Sequence, residues 1–175
     1  MNSDGEALFR ALCELPRDDT PRLVFADWLQ ENGHPERAEL IRLQCEQSNL
    51  CPDYPTTAAA RTRASELLKR YRNEWDRELP DLAGVEWGGF YVRGFIDKVR
   101  IIRADNVTGT LAAVFAAAPL LHLNVTRLEQ GQLREVLEFP LLPRLQRLSL
   151  PGIYGREEAR LLREAQARLP GTEIS

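Results

Sequence analysis

The chain has 175 residues, of which 43% are apolar and 28% charged, and its formal net charge is −3. This length suits one domain or two small lobes, and the net charge predicts no general attraction to nucleic acid or to acidic membranes. No apolar run reaches the roughly 18 residues of a membrane helix, and the acidic N-terminal segment lacks the features of a secretion signal. The three cysteines have no paired spacing, so we expect reduced thiols in a cytoplasmic protein.

The first residues carry a helix signal. Ser3 is followed three positions later by Glu6, which is the spacing of a capping box, and leucines recur at helical intervals as far as Leu15. We therefore predict a first helix that starts at Ser3 and ends before Pro16.

A second helix is predicted from the run DTPRLVFADWLQENG. Asp19-Thr20 offers side-chain oxygens at its start, Pro21 suits its first turn, and Asn32-Gly33 suits its end. Its expected apolar stripe consists of Leu23, Val24, Phe25, Trp28 and Leu29. A third helix is predicted to begin at Pro35, so that the two helices form a tight corner.

The same stretch, DTPRLVFADWLQENG followed by RAELIRLQ, resembles the bacterial repeat-companion domain. That family is a short helical module found at the start of many proteins in a few bacterial lineages, usually ahead of leucine-rich-repeat-like segments. The elements DxPRLVxADWL and RAExIRxQ fall in the family's order and spacing, with Gln30 where the family more often has Glu. The resemblance implies an architecture, a helical module before repeat-like units, rather than an activity.

A loop and a long helix complete the first part of the chain. Two prolines between Cys51 and Pro55 indicate the loop, after which Thr56 or Thr57 can cap a helix that continues to Leu79. The first 80 residues are therefore predicted to form an all-α domain.

After Pro80 the pattern changes to short strands that alternate with helices. Strands are predicted from Val85 to Val92 and from Phe95 to Ile102, because β-branched and aromatic residues are grouped there between glycines. Asn106 is positioned to cap the next helix. The predicted elements from there are a helix over 110–118, a strand at 123–125, a helix over 130–139, a strand at 145–150, a helix over 156–169 and an extended piece at 172–174.

The later strands recur at a regular interval. Val99, Leu123 and Leu148 are 24 and 25 residues apart, and PRLQRLSL contains the Leu-x-x-Leu-x-Leu pattern of leucine-rich repeats. Each strand–helix unit has an apolar face that it cannot bury alone. We therefore predict an α/β fold in which an N-terminal all-α cap, residues 1–80, precedes a short leucine-rich-repeat-like solenoid, residues 81–175, with one core shared between them.

The sequence gives little indication of catalysis. Its two histidines, His34 and His122, are far apart in the chain, and no nucleophile motif, phosphate-binding loop or cluster with metal-ligand spacing is present. We therefore expect a protein that is not an enzyme and that uses no cofactor or metal.

A carboxylate is expected inside the helical corner. Asp27 lies in an apolar neighbourhood of the second helix, while Arg37 and Arg42 belong to the third. Because a buried carboxylate requires a partner, we predict an ion-pair network of Asp27, Arg37 and Arg42 that fixes the corner, so that Asp27→Ala lowers thermal stability substantially. The alternative is that the same residues form a recognition site.

The predicted strands also place polar side chains on one side of the sheet. If Val99, Leu123 and Leu148 point into the core, alternation along each strand turns their neighbours outward. These neighbours form three rows: Lys98, His122 and Arg147 in the first, Arg100, Asn124 and Ser149 in the second, and Ile102, Thr126 and Pro151 in the third. We call the first two rows, which are the predicted binding residues, the strand face. Since the strand face is polar and mildly basic on a net-acidic protein, it predicts a partner protein with an acidic surface.

The sequence therefore predicts a non-enzymatic, protein-binding adaptor or regulatory subunit of a bacterial cytosolic complex, in signalling or defence by analogy of architecture. The alternative is a nucleic-acid-binding accessory protein that uses the same mildly basic strand face. The long helix also carries six cations around Tyr71 and Trp75. Alternating acidic residues favour a solvated helix face there, and both rings fit a core stripe.

Overall fold

A computed structural model describes residues 2–49, 55–129, 131–152 and 155–175. The predicted loop at 51–54 and residue 130, the predicted first residue of a helix, lie outside these ranges. The side chains of Thr56 and Thr57, which the sequence predicts as alternative helix caps, also lie outside what is described.

The elements follow the predicted order of helices first and strands later. The helices are α1 (Ser3–Glu14), α2 (Thr20–Glu31), α3 (Pro35–Asn49), α4 (Pro55–Asp76), α5 (Val107–Ala117), α6 (Gln132–Leu137) and α7 (Arg156–Arg168). The strands are β1 (Val85–Trp87), β2 (Tyr91–Val92), β3 (Phe95–Ile96), β4 (Lys98–Ile101), β5 (His122–Val125), β6 (Arg147–Ser149) and β7 (Glu173–Ile174). The predicted α/β class with N-terminal helices is confirmed.

The chain divides into two compact units. The helical unit consists of Met1–Pro80 and Tyr91–Phe95, and the sheet unit consists of Asp81–Phe90 and Ile96–Ser175. The chain thus leaves the helical unit after Pro80 and returns to it for residues 91–95. The sequence did not predict this return, since it assigned all of 81–175 to the second part.

The side chains that accept hydrogen bonds at the first two helix starts lie one residue earlier than predicted. Asn2, rather than Ser3, caps α1, since its side chain accepts a hydrogen bond from the Gly5 N–H at 3.0 Å. At α2 the Asp18 carboxylate, rather than that of Asp19, accepts a hydrogen bond from the Thr20 N–H at 2.8 Å. This bond lowers the pKa of Asp18.

The buried stripe of α2 also differs from the predicted one. The core of the helical unit includes Leu12 of α1, Phe25, Ala26 and Leu29 of α2, and Ile41 of α3. Arg22 lies inside with them, whereas Leu23 and Val24 are exposed. Positions 22, 25, 26 and 29 share one side of a helix, which turns Leu23 and Val24 towards solvent.

Strands β2 and β3 form a hairpin whose turn is held by α3. Its two turn residues, Arg93 and Gly94, both have positive φ, which suits a tight hairpin, and a side chain at Gly94 would collide with Ile41. Gln44 donates from Nε2 to the Tyr91 carbonyl at 3.0 Å and accepts the Gly94 N–H at Oε1 at 2.7 Å. The two long strands predicted here are therefore four short ones.

The sheet unit contains a five-stranded sheet in the order β1-β4-β5-β6-β7. Strand β1 is antiparallel to β4, and the other neighbours are parallel. Val99 pairs with Leu123 and Leu123 with Leu148, and their side chains are buried in the core of this unit with residues of α5, α6 and α7. Asn106 caps α5 as predicted, since Oδ1 accepts the Gly109 N–H at 2.9 Å.

In the ranges that the structure describes, no helix combines the length and the apolar character needed to cross a membrane.

Candidate functional site

The strand face lies on the outer side of the five-stranded sheet. Parallel pairing sets Lys98 opposite His122 and His122 opposite Arg147, which is the first predicted row. It also sets Arg100 opposite Asn124 and Asn124 opposite Ser149, which is the second row. Because the three parallel strands pair without a shift of register, the six side chains form two straight rows across the sheet.

Alternating burial turns these side chains outward. In β4, Lys98 and Arg100 are exposed while the residues between and after them are buried, and β5 and β6 continue the alternation. The buried residues of the three strands are Val99, Ile101, Leu123, Val125 and Leu148. These residues pack against the helices of the sheet unit, so the polar residues that alternate with them point to the opposite side of the sheet.

The first row ends in a cross-strand ion pair. Arg147 pairs in register with Glu173 of β7, and its Nη2 and Nε lie 2.8 Å and 3.0 Å from the same carboxylate oxygen. In the middle of the row His122 Nδ1 lies 3.6 Å from Asp97 Oδ2. Both side chains of the Arg147–Glu173 pair are more than half exposed, so the pair orders the row more than it stabilises the fold.

The second row begins in another cross-strand pair. Arg100 lies opposite Glu86 of β1, and its Nη1 is 3.3 Å from the carboxylate. Ser149 Oγ lies 3.1 Å from Ser175 Oγ at the other end. Between them Asn124 Oδ1 is shielded from solvent and has no hydrogen-bond partner among the described residues. The centre of the row is therefore uncharged.

The mildly basic character expected of the strand face is reduced by these pairs. Both arginines already have a carboxylate beside them, from Glu86 and from Glu173. Sequence reasoning missed these two carboxylates because β1 and β7 lie outside the three strands that repeat. Their cross-strand positions follow only from the pairing of the edge strands.

Lys98 is the exception on this face. Its side chain is exposed and has no ion-pair partner within the described ranges. Gly88, which donates its N–H to the Lys98 carbonyl at 2.8 Å, has no side chain, and His122 follows on the other side. Lys98 therefore offers an exposed cation on the strand face.

The predicted network of Asp27, Arg37 and Arg42 is only partly formed. Arg42 Nη2 lies 2.7 Å from Asp27 Oδ1, but the Asp27 side chain is 70% exposed, so the expectation of a buried carboxylate is wrong. The physical reason is the rotation of α2, whose buried side passes through Arg22 and Phe25. Asp27 is carried to the solvent side with Val24.

Arg37 takes no part in that network. It is 8% exposed, and its guanidinium carbon lies 4.6 Å from the ring centre of Trp75, 5.0 Å from that of Tyr91 and 5.1 Å from that of Phe95. Burial lowers its pKa, and Nη1 has no hydrogen-bond partner in the described part of the chain. The prediction that Arg37 pairs with Asp27 is wrong, because the five positions that separate Arg37 from Arg42 turn them to different sides of α3.

Sequence reasoning missed a second buried arginine, Arg22. It is 1% exposed, and its Nη2 donates to the Pro16 carbonyl at 2.6 Å. Its Nε lies 3.9 Å from Asp19, which also lies 3.5 Å from Arg93. One signal in the sequence could have predicted its burial. Position 22 has the helical spacing that places it on the same face of α2 as Phe25 and the later buried residues.

Two of the cations of α4 are paired with carboxylates. Arg63 makes two hydrogen bonds to the Glu39 carboxylate, at 2.7 Å and 2.8 Å, and Arg72 lies 3.2 Å from Asp76. Trp75 is buried and its ring stacks on that of Tyr71, so the expectation that Trp75 belongs to the core is confirmed.

The helical unit has a shallow cavity of about 380 Å³ beside this helix. It is lined by Gln30, Pro35, Glu36, Glu39, Arg42, Leu43, Glu46 and Arg63. Its two arginines are those paired with Asp27 and Glu39. The cavity therefore offers no unpaired cation to an anionic ligand.

Within the described ranges, no three histidine, cysteine or acidic side chains converge as they would to hold a metal ion. Comparisons of the chain with protein-family models, with curated proteins and with solved structures found no match.

Proposed function

We propose that the chain is a non-enzymatic protein-binding module, an adaptor or regulatory subunit of a bacterial cytosolic complex, and that the strand face is its binding surface. One observation carries the proposal: six outward side chains stand in two registered rows on rigid strands. A surface that is ordered before binding loses less conformational entropy when a partner docks.

The lateral ion pairs support this role. The guanidinium of Arg147 is held by Glu173 and that of Arg100 by Glu86, so both project in a defined direction from the sheet. Such exposed pairs contribute little to folding stability, roughly 0–1 kcal/mol each. Their main effect is on the pattern of charge that a partner meets.

The regular pairing supports the leucine-rich-repeat-like interpretation of residues 81–175. Val99, Leu123, Leu148 and Ile174 occupy corresponding positions on successive parallel strands. In such arrays the outward side chains of neighbouring strands commonly form the binding surface. The resemblance of the helical part to the repeat-companion domain agrees with this architecture, and a role in signalling or defence follows by analogy alone.

The partner is proposed to be a protein with an acidic surface. Lys98 has no ion-pair partner in the part of the chain that the structure describes, and a carboxylate placed near it also lies close to Arg100. A nucleic acid is the less favoured partner, because neutralising a run of phosphates requires several cations that are not already paired.

The test is affinity capture from the native cell with the wild-type chain and two variants. The first variant carries K98E, R100E and R147E on the strand face. The second carries R10E, R77E and R163E, three exposed arginines elsewhere, and therefore has the same change of net charge. A third variant, R147E/E173R, reverses one pair while preserving its attraction, and all variants are compared at matched melting temperature.

We expect the same protein to be captured by the wild type and by the control triple variant, and to be lost from the strand-face triple variant. Chemical crosslinks from the captured protein to residues of β4 and β5 would place it on the face. Retention by the strand-face variant would exclude this surface. Capture that disappears after nuclease treatment would support the nucleic-acid alternative instead.

A further inference from the structure

Strand β7 is an edge of the five-stranded sheet. On one side it bonds to β6, through the Glu173 N–H to the Gln146 carbonyl at 2.8 Å and the Ser175 N–H to the Leu148 carbonyl at 3.0 Å. In an extended chain, the N–H and C=O of one peptide group point to opposite sides, and so do the N–H groups of successive residues. The Ile174 N–H and the Thr172 carbonyl therefore face the side on which no further strand is described.

The side chain of Gln166, from α7, occupies that side. Its Oε1 accepts a hydrogen bond from the Ile174 N–H at 3.2 Å, and its Nε2 donates to the Thr172 carbonyl at 3.0 Å. One carboxamide thus supplies an acceptor and a donor to two successive outward groups of the strand. One residue of a neighbouring parallel strand would supply the same pair, through its own N–H and C=O groups.

The position of Gln166 is fixed by its helix. Its neighbour Ala165 is fully buried, and Leu169 one turn later is also buried in the core of the sheet unit. Nε2 lies in addition 3.4 Å from the Leu169 carbonyl at the end of α7. The carboxamide is therefore presented to the edge by a packed helix rather than by a loose side chain.

We propose that Gln166 takes the place of the next strand and closes the β7 edge to strand addition by another chain. Unpaired edge strands are templates for association between molecules, and proteins block them by covering the edge or interrupting its hydrogen bonding. This inference goes beyond the proposed function, which concerns the face of the sheet and not its edge. Once Gln166 is removed, the partner that this edge fits is the same edge of a second copy of the chain.

The test uses three variants on α7. Q166A removes both hydrogen bonds and keeps a strong helix former at an exposed helical position, so the fold is retained. Q166E keeps an acceptor for Ile174 but places a charge at the edge, which opposes pairing. R163A, on the same helix and also exposed, is the control. Amide hydrogen exchange of Ile174 is measured by NMR, and the average mass is measured by sedimentation over a range of concentrations.

We expect Q166A to raise the exchange rate of the Ile174 amide about fivefold, the effect of losing one net hydrogen bond. We also expect its average mass to rise with concentration above that of the wild type, while Q166E and R163A sediment like the wild type. Unchanged exchange at Ile174 in Q166A overturns the proposal. Faster exchange without any gain in mass overturns the blocking role of Gln166.

Discussion

Two buried arginines of the helical unit differ in their surroundings from two exposed arginines of the sheet unit. In the helical unit Arg22 and Arg37 are buried, and aromatic rings and a main-chain carbonyl surround them. In the sheet unit Arg100 and Arg147 are exposed, and each lies beside a carboxylate on the next strand. We therefore expect substitutions in the first pair to act on folding, and substitutions in the second pair to change the charge pattern of an exposed surface.

The surroundings of Arg37 explain why this arginine is tolerated in the core. The planar guanidinium of Arg37 lies over Trp75 and close to the rings of Tyr91 and Phe95, whose faces attract a cation. Its aliphatic stem fills space in the same place as an apolar side chain would. An arginine in such a site is part of the core.

The largest expected effect is therefore that of Arg37→Ala. It removes a side chain that packs against three rings, and we expect the free energy of unfolding to fall by about 3 kcal/mol. Arg37→Met keeps most of the volume and should lose less than half as much. Urea unfolding of both variants measures the difference. Equal losses for the two would mean that the charge of Arg37, and not its packing, stabilises the helical unit.

The next largest loss of stability is expected at alkaline pH, and it results from a residue of the helical unit. Burial, assisted by the carboxylate of Asp19, raises the pKa of Cys45 from 9.0 to about 12. Since the fold favours the neutral thiol, this contribution to stability is complete below pH 9 and is lost as the pH rises from 9 towards 12. We expect a loss of about 1 kcal/mol between pH 9 and pH 10, because the unfolded thiol is already half ionised at pH 9.

Cys45→Ala is the control for that measurement. Urea unfolding at several pH values should show a shallower decline for this variant between pH 9 and pH 10. Burial also raises the pKa of Tyr91 to about 12, which adds a smaller loss of about 0.3 kcal/mol between pH 9 and pH 10 in both proteins. The same slope in Cys45→Ala and the wild type would contradict the assignment to Cys45.

A smaller effect is expected for the exposed pair of the sheet unit. A double-mutant cycle of Arg147→Ala and Glu173→Ala should give a coupling energy of about 0.5 kcal/mol, because both side chains are more than half exposed. The coupling should decrease at high salt. A coupling above 2 kcal/mol would remove the contrast between the two kinds of arginine.

The smallest effect is expected for Asp27→Ala. The sequence predicts a large loss of stability here, but the exposed carboxylate leads us to expect a change within about 0.5 kcal/mol. Thermal unfolding of this variant beside Arg37→Ala compares an exposed ion pair with a buried arginine in the same unit.

Local signals predicted much of this fold. The interval between Val99, Leu123 and Leu148 gave the correct pairing of three strands, because a parallel array with regular connections repeats its register. Asn106 gave the start of α5 through a cap that depends only on nearby residues.

The features that were missed depend on residues distant in sequence. The aromatic surroundings of Arg37 come from α4 and from the hairpin, so the sequence around position 37 does not reveal them. The carboxylate of Glu173 reaches Arg147 because β7 pairs with β6, and Gln166 reaches the same strand from a helix. Long-range geometry of this kind has no periodic signal in the sequence.

The hydrogen bonds of Gln44 have a consequence for the order in which the chain folds. Its partners, Tyr91 and Gly94, follow it by 47 and 50 residues. During synthesis from the N-terminus, the helical unit therefore stays incomplete until the hairpin has left the ribosome. A fragment that stops at Pro80 lacks two of the three rings around Arg37 and cannot reproduce the helical unit of the whole chain.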